Sequence, residues 1–480
     1  MTRRQSFAER RFTLEDQEAF AALSGDRNPM HLDPVYARRT QAGTPVVHGV
    51  SAALWALDAF CAIRPGPPIR TLGVRFDRFI YLDEPVEAAL VSERAGQADI
   101  ELLIEGARAT SIAVGLGPRK AGGKAPRTRE DSIGSLPREL SLEALPNVAG
   151  SFAASRPDSQ AAAAFPALAA AVGPEATNSL IALSTLVGMH CPGLHSIFSK
   201  FAVELYEEDS PDRIFAFAVA RVDPRFRLVT VDLDAPFISG KVECFVRQPP
   251  VRQPALRDLA GRVRAEAFAE ERALVVGGSR GLGELTAKLL ALGGAEVVIT
   301  YLVGAGEAEA VASEIEEAGG ACRTMKLDVR EPPGPQLAQV RETFTQLYYF
   351  ATPQIFRKRS VLYSPTALDE YLAVYCSGFH NLCEALAGAG NRLAAFNPSS
   401  TAIEERPKGA VEYVMAKSAA EILAAEISRS RPNIEVIADR LPRLLTDQTA
   451  TVLPIESANV VDLLLPIIER MHRASRPQSG

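Results

Sequence analysis

The feature that most constrains this fold is an apolar run leading into a glycine-rich loop, Ala273-Leu-Val-Val-Gly-Gly-Ser-Arg-Gly-Leu-Gly-Glu284. The apolar run predicts a buried strand, and the residues after the loop predict a helix. Gly277, Gly281 and Gly283 let the backbone turn tightly and approach a pyrophosphate at the helix N-terminus. A second apolar strand, Glu296-Val-Val-Ile-Thr300, follows at the distance that a strand-helix-strand unit needs. The last part of the chain is therefore expected to be an α/β Rossmann-like, doubly wound parallel sheet.

The end of the second predicted strand bears on the choice of cofactor. A carboxylate there would bind the ribose 2′-hydroxyl of NAD, but the strand runs into Thr300-Tyr-Leu302. With Arg280 in the loop, there is room for a 2′-phosphate, so NADPH is expected and NADH is the less favoured cofactor. The residues expected to bind the cofactor are Gly277, Ser279, Arg280, Gly281, Leu282, Gly283, Asp328, Val329 and Thr446.

A serine, a tyrosine and a lysine further along the chain suggest carbonyl reduction. Tyr413 and Lys417 are spaced to share one face of a helix. An ammonium near a phenol favours the phenolate, so Lys417 is expected to lower the pKa of Tyr413, which would then donate a proton to a carbonyl oxygen as hydride arrives. Ser400 would hold that oxygen. Tyr-x-x-x-Lys pairs are common on helices and usually have no catalytic role. This pair is interpreted as catalytic because the glycine loop and the serine accompany it.

Residues 271–480 resemble the short-chain dehydrogenase/reductase family, with its Gly-x-x-x-Gly-x-Gly loop and its serine, tyrosine and lysine. The resemblance implies that these three side chains are catalytic. The chain departs from the family pattern at Phe350-Ala-Thr-Pro353, where many members have Asn-Asn-Ala-Gly. It also has Tyr375 where the family often places a relay asparagine, and Pro442-Arg443 where Pro-Gly is usual. These departures concern the proton relay and the floor of the cofactor pocket.

A second unusual string, Gly25-Asp-Arg-Asn-Pro-Met-His31, stands near the start of the chain, followed by Val47-His-Gly49 and an apolar helix. Asp26 and His31 would share one water molecule if the Asn-Pro turn brings them to the same side of the loop, and would then move a proton and a hydroxyl together. The Gly49 amide, at the positive end of the helix, would polarise a thioester carbonyl. The alternative is a polar turn that caps a helix, with a solvated histidine.

Residues 11 to about 115 resemble the MaoC-type, hydratase 2 family of hotdog-fold enoyl-thioester hydratases. The motif of that family reads roughly G-D-x-N-P-x-H, then a small-residue-rich segment, then V-H-G, and both halves are present here. The resemblance implies that Asp26 and His31 are the catalytic pair. It also implies that Asn28 and Gly49 help to hold the site or the thioester.

Alternating apolar and polar residues over 71–117 predict an antiparallel sheet, and one apolar helix wrapped by such a sheet is the hotdog arrangement. After a linker at 121–139, residues 140–250 repeat the order in outline, which predicts a second hotdog repeat that shapes the acyl channel without the catalytic string. His190 and His195 are the rival candidates for chemistry in this repeat. Histidines around a Pro-Gly turn, with no carboxylate nearby in sequence, are more often structural.

The chain of 480 residues is too long for one hydrophobic core, so several domains are expected. The fold class is predicted as an α+β double hotdog followed by the α/β sheet. The predicted order is a MaoC-like hotdog repeat at 1–120, a linker at 121–139, a second repeat at 140–250, a linker with a helix at 251–270 and a dehydrogenase domain at 271–480.

Charge and composition exclude several other classes of protein. The net charge is −6 and no basic run interleaves with aromatic residues, so no nucleic-acid partner is expected. The six cysteines lie far apart and indicate reduced thiols in a cytoplasmic protein, not a disulfide framework or a metal site. The N-terminus lacks the apolar core of a signal peptide, and the Ala161–Val172 stretch is too short to span a bilayer, so no membrane insertion is expected. Both family resemblances imply a homo-oligomer.

Together the two sites predict a bifunctional 3-ketoacyl-thioester reductase and (R)-3-hydroxyacyl-thioester dehydratase in fatty-acyl or polyketide-like metabolism. The substrate is expected to ride on coenzyme A or on an acyl carrier protein. One alternative is the degradative direction, in which the same sites hydrate and oxidise enoyl thioesters. Another alternative is a dehydratase whose reductase domain no longer catalyses a reaction. A third is a reductase for an unrelated ketone or sugar.

Overall fold

The structure is a computed structural model, and it describes residues 4–121, 136–153, 157–207, 213–338, 340, 343–353, 363–388, 391–444 and 459–476. The chain divides into two compact units, with the boundary between Pro249 and Pro250. Within the described ranges, no helix is both long enough and apolar enough to cross a bilayer. Each unit has its own hydrophobic core.

The first unit is built from short helices and one large sheet. Its strands are β1 (Gln5–Arg11), β2 (Ile69–Phe76), β3 (Pro85–Arg94), β4 (Gln97–Ile104), β5 (Ala107–Leu116), β6 (Lys120–Ala121), β7 (Ala149–Ala153), β8 (Ser196–Glu207), β9 (Ile214–Asp223), β10 (Leu228–Ala235) and β11 (Ile238–Val246). Its helices are α1 (Leu14–Ser24), α2 (Pro29–Leu32), α3 (Pro34–Ala37), α4 (Gly49–Ile63), α5 (Asp158–Ala164), α6 (Pro166–Val172) and α7 (Pro174–Thr185), the last continued by a π-helix over Leu186–His190.

The strand order of this sheet shows an internal duplication. The order is β1-β3-β4-β5-β2-β8-β11-β10-β9-β7, with β6 paired to β8, so the second half repeats the first half in reverse. The halves join where β2 and β8 run antiparallel, with Val74 opposite Phe201. The predicted double hotdog is confirmed. The second repeat also contains β7 and β11, two strands that the sequence reading did not identify.

The central helix α4 is buried because it carries almost no polar surface. Ala52, Ala53, Leu54, Ala56 and Leu57 have no exposed surface, and the small side chains let α6 and α7 pack closely. Helices and sheets of both repeats share one continuous core. The loop before α4 is therefore held against the second repeat as well as the first.

The second unit is a doubly wound sheet. Its strands are β12 (Arg272–Val276), β13 (Glu296–Tyr301), β14 (Ala321–Lys326), β15 (Gln346–Tyr349), β16 (Leu393–Phe396), β17 (Ser399–Ser400), β18 (Ile434–Ile437) and β19 (Arg440–Leu441). Its helices are α8 (Gly281–Leu292), α9 (Ala305–Glu317), α10 (Pro333–Leu337), α11 (Pro365–Leu372), α12 (Phe379–Ala387), α13 (Ala402–Glu405), α14 (Val411–Ser430) and α15 (Val460–Ser475), with a π-helix over Ala373–Gly378 between α11 and α12.

The six main strands are all parallel, in the order β14-β13-β12-β15-β16-β18. Alternate residues of β12 enter different cores, since Ala273 and Val275 pack on one face while Leu274 and Val276 pack on the other. Burial on both faces explains why this strand is a continuous apolar run. The predicted Rossmann-like sheet is confirmed.

The helix expected within residues 251–270 does not form. Only one 3-10 turn, Leu256–Leu259, is present. Gly261 and Glu266 have φ angles of 80° and 62°, and residues in the left-handed region interrupt a right-handed helix. The apolar residues of this segment are instead separate anchors, among them Phe268, which is buried in the core beneath α8.

Candidate active sites

Asp26 lies directly after α1, where Gly25 ends the helix with a φ of 84°. Its carboxyl group is almost fully buried. Oδ1 accepts a hydrogen bond from the Asn28 main-chain N–H at 3.1 Å, and Oδ2 accepts one from the Ser184 hydroxyl at 2.6 Å. Burial raises the pKa of Asp26, although both hydrogen bonds and the nearby His31 act in the opposite direction. This carboxyl group therefore holds a proton more tightly than an ordinary aspartate.

His31 lies on the one-turn helix α2, which Asn28 caps by accepting from the Met30 N–H at 3.1 Å. His31 Nδ1 is 2.8 Å from the Val46 carbonyl oxygen. A carbonyl oxygen only accepts hydrogen bonds, so Nδ1 carries the proton of the neutral ring and Nε2 is the basic nitrogen. Burial lowers the pKa of His31, against the attraction of Asp26. A neutral imidazole beside a protonated carboxyl group is the state that burial favours.

The structure brings Asp26 and His31 together, as the sequence predicts. Their side-chain oxygen and nitrogen atoms, with those of His48, lie within 4.8 Å of one another, which one water molecule can bridge. Both residues line a cleft of about 630 Å³, open mouth included, together with Gly49, Phe76 and Ser184. From the second repeat, the cleft wall also includes Val187, Gly188, Ser196, Ile197 and Phe198.

Gly49 is the first residue of α4, so its main-chain N–H is one of the unpaired donors at that helix N-terminus. A Cβ added to Gly49 would lie 2.9 Å from the ring of Phe76. A glycine is therefore needed for the aromatic side chain to approach the start of the helix. The position in the cleft wall is consistent with the predicted contact to a thioester carbonyl.

Asn28 anchors the loop that carries Asp26 to the second repeat. Its Nδ2 lies 3.2 to 3.4 Å from the carbonyl oxygens of Gly188, Gly193 and Leu194. Gly188 in turn lies against Asp26, since a Cβ at that position would be 2.2 Å from Asp26 Oδ1. The sequence reading missed Ser184 and Gly188, because neither belongs to a recognisable motif.

His48 is a further buried residue of this site that was not predicted. Its ring stacks on that of His31, with centroids 3.8 Å apart and planes inclined by 25°. Three ligand groups at this distance could hold a metal ion. The lone pairs of stacked imidazoles lie in nearly parallel planes, however, and do not converge on one ion as tetrahedral coordination requires. The arrangement of the three side chains therefore does not fit a tetrahedral metal site.

His190 and His195, the alternative candidates for catalysis, lie in environments that indicate a structural role. His190 stacks on Phe152, with centroids 4.3 Å apart, and both rings are buried. His195 Nε2 lies 2.9 Å from Glu139 Oε1, so this histidine pairs with a carboxylate that is distant in sequence. Neither histidine lines the cleft that contains Asp26.

The glycine loop of the second unit has the geometry of a phosphate-binding turn. Gly277 and Gly281 have φ angles of 78° and 60°, and open space surrounds the position of a Cβ at Gly281. A Cβ at Gly283 would lie 2.3 Å from the Gly277 carbonyl oxygen, so only glycine lets α8 start this close to β12. Arg280 is the N-cap residue of α8. These residues fit a dinucleotide pyrophosphate.

The remaining residues predicted to bind the cofactor lie in different environments. Ser279 is buried in the loop and Leu282 packs against the core. Asp328 pairs with Arg330, whose Nη2 is 2.6 Å from Oδ2, and this partner lowers the pKa of Asp328. Val329 packs against the core cluster that contains Tyr349. Thr446 lies outside the described residues.

The structure brings Ser400 and Tyr413 together, whereas the amine of Lys417 is directed to another partner. Burial raises the pKa of Tyr413, and a hydrogen bond with Ser400 lowers it. The expectation that Lys417 lowers this pKa is wrong, because its Nζ donates to the Pro398 carbonyl at 2.6 Å and lies 3.9 Å from the ring centre of Tyr375. Burial lowers the pKa of Lys417 to about 7.

Comparisons with known proteins match a family to part of each unit. Residues 2–110 match the MaoC like domain, and residues 271–438 match the short chain dehydrogenase family. The chain is 50% identical over 44 residues to the (R)-specific enoyl-CoA hydratase of Aeromonas caviae, which is 9% of this chain and 33% of that protein. It is 35% identical over 69 residues to the peroxisomal hydratase-dehydrogenase-epimerase of Saccharomyces cerevisiae, which is 14% of this chain and 7% of that protein.

The matched segments thus span a third or less of these two relatives. Among solved structures, a mutant short-chain dehydrogenase/reductase of Serratia marcescens is 25% identical and covers 45% of this chain and 94% of its own, with a TM-score of 0.36.

Proposed function

This chain contains a MaoC-like dehydratase domain and a short chain dehydrogenase domain, and on that premise we propose that it is a bifunctional 3-ketoacyl-thioester reductase and (R)-3-hydroxyacyl-thioester dehydratase. The observation that carries the proposal is the meeting of Asp26 and His31 within 4.8 Å in the wall of one cleft. A carboxyl group and an imidazole at this distance can add water to, or remove it from, a double bond conjugated to a carbonyl.

In the hydration direction, His31 Nε2 accepts a proton from water as the oxygen bonds to C3 of the enoyl thioester. Asp26 donates its proton to C2, and the loss of the C2–C3 double bond is balanced by these two new bonds. Dehydration reverses both transfers, with Asp26 as base and His31 as acid. The pair exchanges one proton in each direction, so the chemistry does not fix the physiological direction.

The Gly49 N–H is proposed to bind the thioester carbonyl oxygen as charge develops there. Helix α4 adds the positive end of its dipole at this position. Asn28 holds the loop in place through the second repeat. The acyl chain is proposed to lie along the apolar wall that includes Val50, Phe76 and Ile197.

In the second unit, Tyr413 is proposed to donate a proton to the oxygen of a 3-ketoacyl group. Ser400, which shares a hydrogen bond with Tyr413, would hold the same oxygen. The cofactor supplies the hydride when it is bound. Lys417 lies one helical turn beyond Tyr413, and its amine is proposed to help to orient the cofactor.

NADPH is the proposed cofactor. Strand β13 ends at Tyr301 without a carboxylate, and the next residues, Leu302 and Val303, are exposed hydrophobic side chains. Arg280 at the start of α8 provides a cation for the 2′-phosphate. These features disfavour NADH.

The two reactions are consecutive, since reduction at C3 gives the 3-hydroxyl group that dehydration removes. Two sites on one chain raise the effective concentration of the shared intermediate. The substrate is proposed to ride on coenzyme A or on an acyl carrier protein. The six cysteines are free thiols, four of them buried, as expected of a protein that works in a reducing compartment such as the cytoplasm.

A second candidate is a dehydratase whose short chain dehydrogenase domain only binds the cofactor or a partner. Tyr375 favours this alternative, since its ring lies beneath Lys417 and its hydroxyl bonds to Thr352 at a position where the family often has a relay asparagine. A comparison of wild type with Tyr413→Phe decides between the two. Equal ketone reduction by both proteins would remove the catalytic role of Tyr413.

The central test is a panel of 3-ketoacyl and 2-enoyl thioesters, carried on coenzyme A and on an acyl carrier protein. Nicotinamide absorbance is followed in both directions with NADPH and with NADH, and the products are identified by mass spectrometry. We expect hydration of the enoyl substrates and NADPH-dependent reduction of the 3-ketoacyl substrates. No turnover of any thioester would contradict the proposal.

A further inference from the structure

His48 occupies a position that the proposed reaction does not yet use. Its side chain has no exposed surface and lies between the rings of Phe20 and His31, with centroids 5.1 and 3.8 Å away. It is not among the residues that line the cleft. Any influence of His48 on the reaction is therefore exerted through the residues that do.

Gln17, on α1, determines which nitrogen of His48 carries the proton. Gln17 Oε1 accepts from the His48 main-chain N–H at 2.9 Å, and Gln17 Nε2 donates to the Thr13 carbonyl at 3.3 Å, so the orientation of the amide is fixed. His48 Nδ1 is 3.0 Å from the same Oε1, which cannot donate. Nδ1 must then be the donor, and Nε2 of the neutral ring is a bare acceptor.

This bare nitrogen is directed towards the Asp26 carboxyl group. Nε2 lies 4.0 Å from Asp26 Oδ2, too far for a hydrogen bond, and it makes no hydrogen bond of ordinary geometry with the described residues, although the main-chain carbonyl of Asp26 favours a proton on the ring. A lone pair at this distance opposes negative charge on the carboxyl group. The other tautomer would place an N–H there and would stabilise the carboxylate.

His48 also remains uncharged. Burial and the neighbouring His31 hold the pKa of His48 well below its ordinary value, against a smaller opposite effect of the Asp26 carbonyl. Within the described part of the chain, the titratable groups that face His48 are Asp26 and His31, while Gln17 and Phe20 are uncharged. No carboxylate other than Asp26 is placed to charge the ring.

We propose that His48 is a positioning residue of the hydratase site, locked by Gln17 in the Nδ1–H tautomer so that Asp26 keeps its proton and acts as the acid. The inference rests on the proposed hydration reaction. It adds a control element behind the catalytic pair, built from α1 and the start of α4. Gln17 touches neither the cleft nor Asp26 in the described contacts, which makes it the residue to change.

The test is the pH dependence of kcat/KM for enoyl-thioester hydration by Gln17→Met, which keeps the length of the side chain and removes the acceptor. Freed from the lock, His48 can turn its N–H towards Asp26, so the alkaline limb should move to lower pH by about one unit with KM unchanged. Gln5→Met, on the exposed β1, is the matched control and should not move it.

An unmoved limb in Gln17→Met would overturn the inference. Nitrogen NMR of histidine-labelled wild type is the second measurement, with His48→Asn used to assign the signal. We expect a protonated Nδ1 and an unprotonated Nε2, and the opposite tautomer overturns the lock even if Gln17→Met does not fold. A wild type that hydrates no enoyl thioester defeats the proposed function instead, a result that the NMR measurement distinguishes.

Discussion

The two repeats of the first unit share a strand order and differ in what they contribute to the site. The first repeat carries Asp26 and His31 on the loop between α1 and α4. The second repeat has alanine-rich helices before α7, and it contacts Asp26 through Ser184 and Gly188. The comparison teaches that a duplicated fold can hold its reactive groups in one copy while the other copy sets their environment.

The largest expected effect tests whether the first repeat supplies the acid of the proposed reaction. Asp26→Asn removes the acid of the proposed hydration reaction and should lower kcat by about 10²- to 10⁴-fold. The loss of enoyl absorbance measures hydration, and NADPH-dependent ketone reduction by the same protein is the internal control. A decrease of less than tenfold would mean that the first repeat does not carry the reactive acid.

The next effect tests whether the second repeat fixes the position of the Asp26 carboxyl group. Gly188→Ala places a methyl group 2.2 Å from Asp26 Oδ1, so the carboxyl group must move, and a displacement near 1 Å can cost about 10²-fold in kcat. Gly73→Ala is the matched control, because its Cβ would meet only Ala113 at an ordinary 3.9 Å. Equal hydration rates for the two variants would show that the second repeat does not constrain Asp26.

A smaller effect probes the hydrogen bond between the repeats. Ser184→Ala removes a donor from the buried carboxyl group, which should lower kcat about tenfold and raise the pKa of Asp26 further, since Ser184 lowers it. The alkaline limb of the pH profile should therefore move to higher pH. Ser179→Ala on the same helix removes a buried hydroxyl with no partner among the described residues and should leave both kcat and the limb unchanged.

The smallest effect concerns stability. A carboxyl group whose pKa is raised in the folded state binds its proton more tightly there, so the stability of the wild type should fall as pH rises from the unfolded pKa through the folded one. Asp26→Asn lacks this dependence and should be more stable than wild type at pH 8 by about 1–2 kcal/mol, but not at pH 3. Urea unfolding at both pH values measures the difference. A constant difference would show that the second repeat leaves Asp26 in a water-like environment.

Much of the fold followed from local patterns. The apolar run and glycine loop predicted the parallel sheet because burial on both faces requires continuous apolar residues. Asp26 and His31 could be paired from the sequence because a short loop, with Asn28 as a helix cap, leaves them few relative positions. Residues that act locally were thus predictable.

The missed residues depend on long-range packing. Ser184 lies 158 residues from Asp26 and resembles any other small residue of an apolar helix. Gln17 follows the helix cap, but the capping box is closed by Thr13 and Asp16, which leaves the amide to meet His48. The spacing of Tyr413 and Lys417 fixed their common helix face, whereas the Pro398 carbonyl decides where the amine points.

The antiparallel seam between β2 and β8 has an evolutionary consequence. In an assembly of two identical subunits, every mutation appears in both walls of the acyl site at once. Here the two walls of the proposed acyl site are encoded separately, so selection can reshape the wall built from the second repeat for a new chain length while the proposed acid and its histidine stay unchanged. A lineage with this seam can change which acyl chains it accepts while its proposed catalytic residues stay the same.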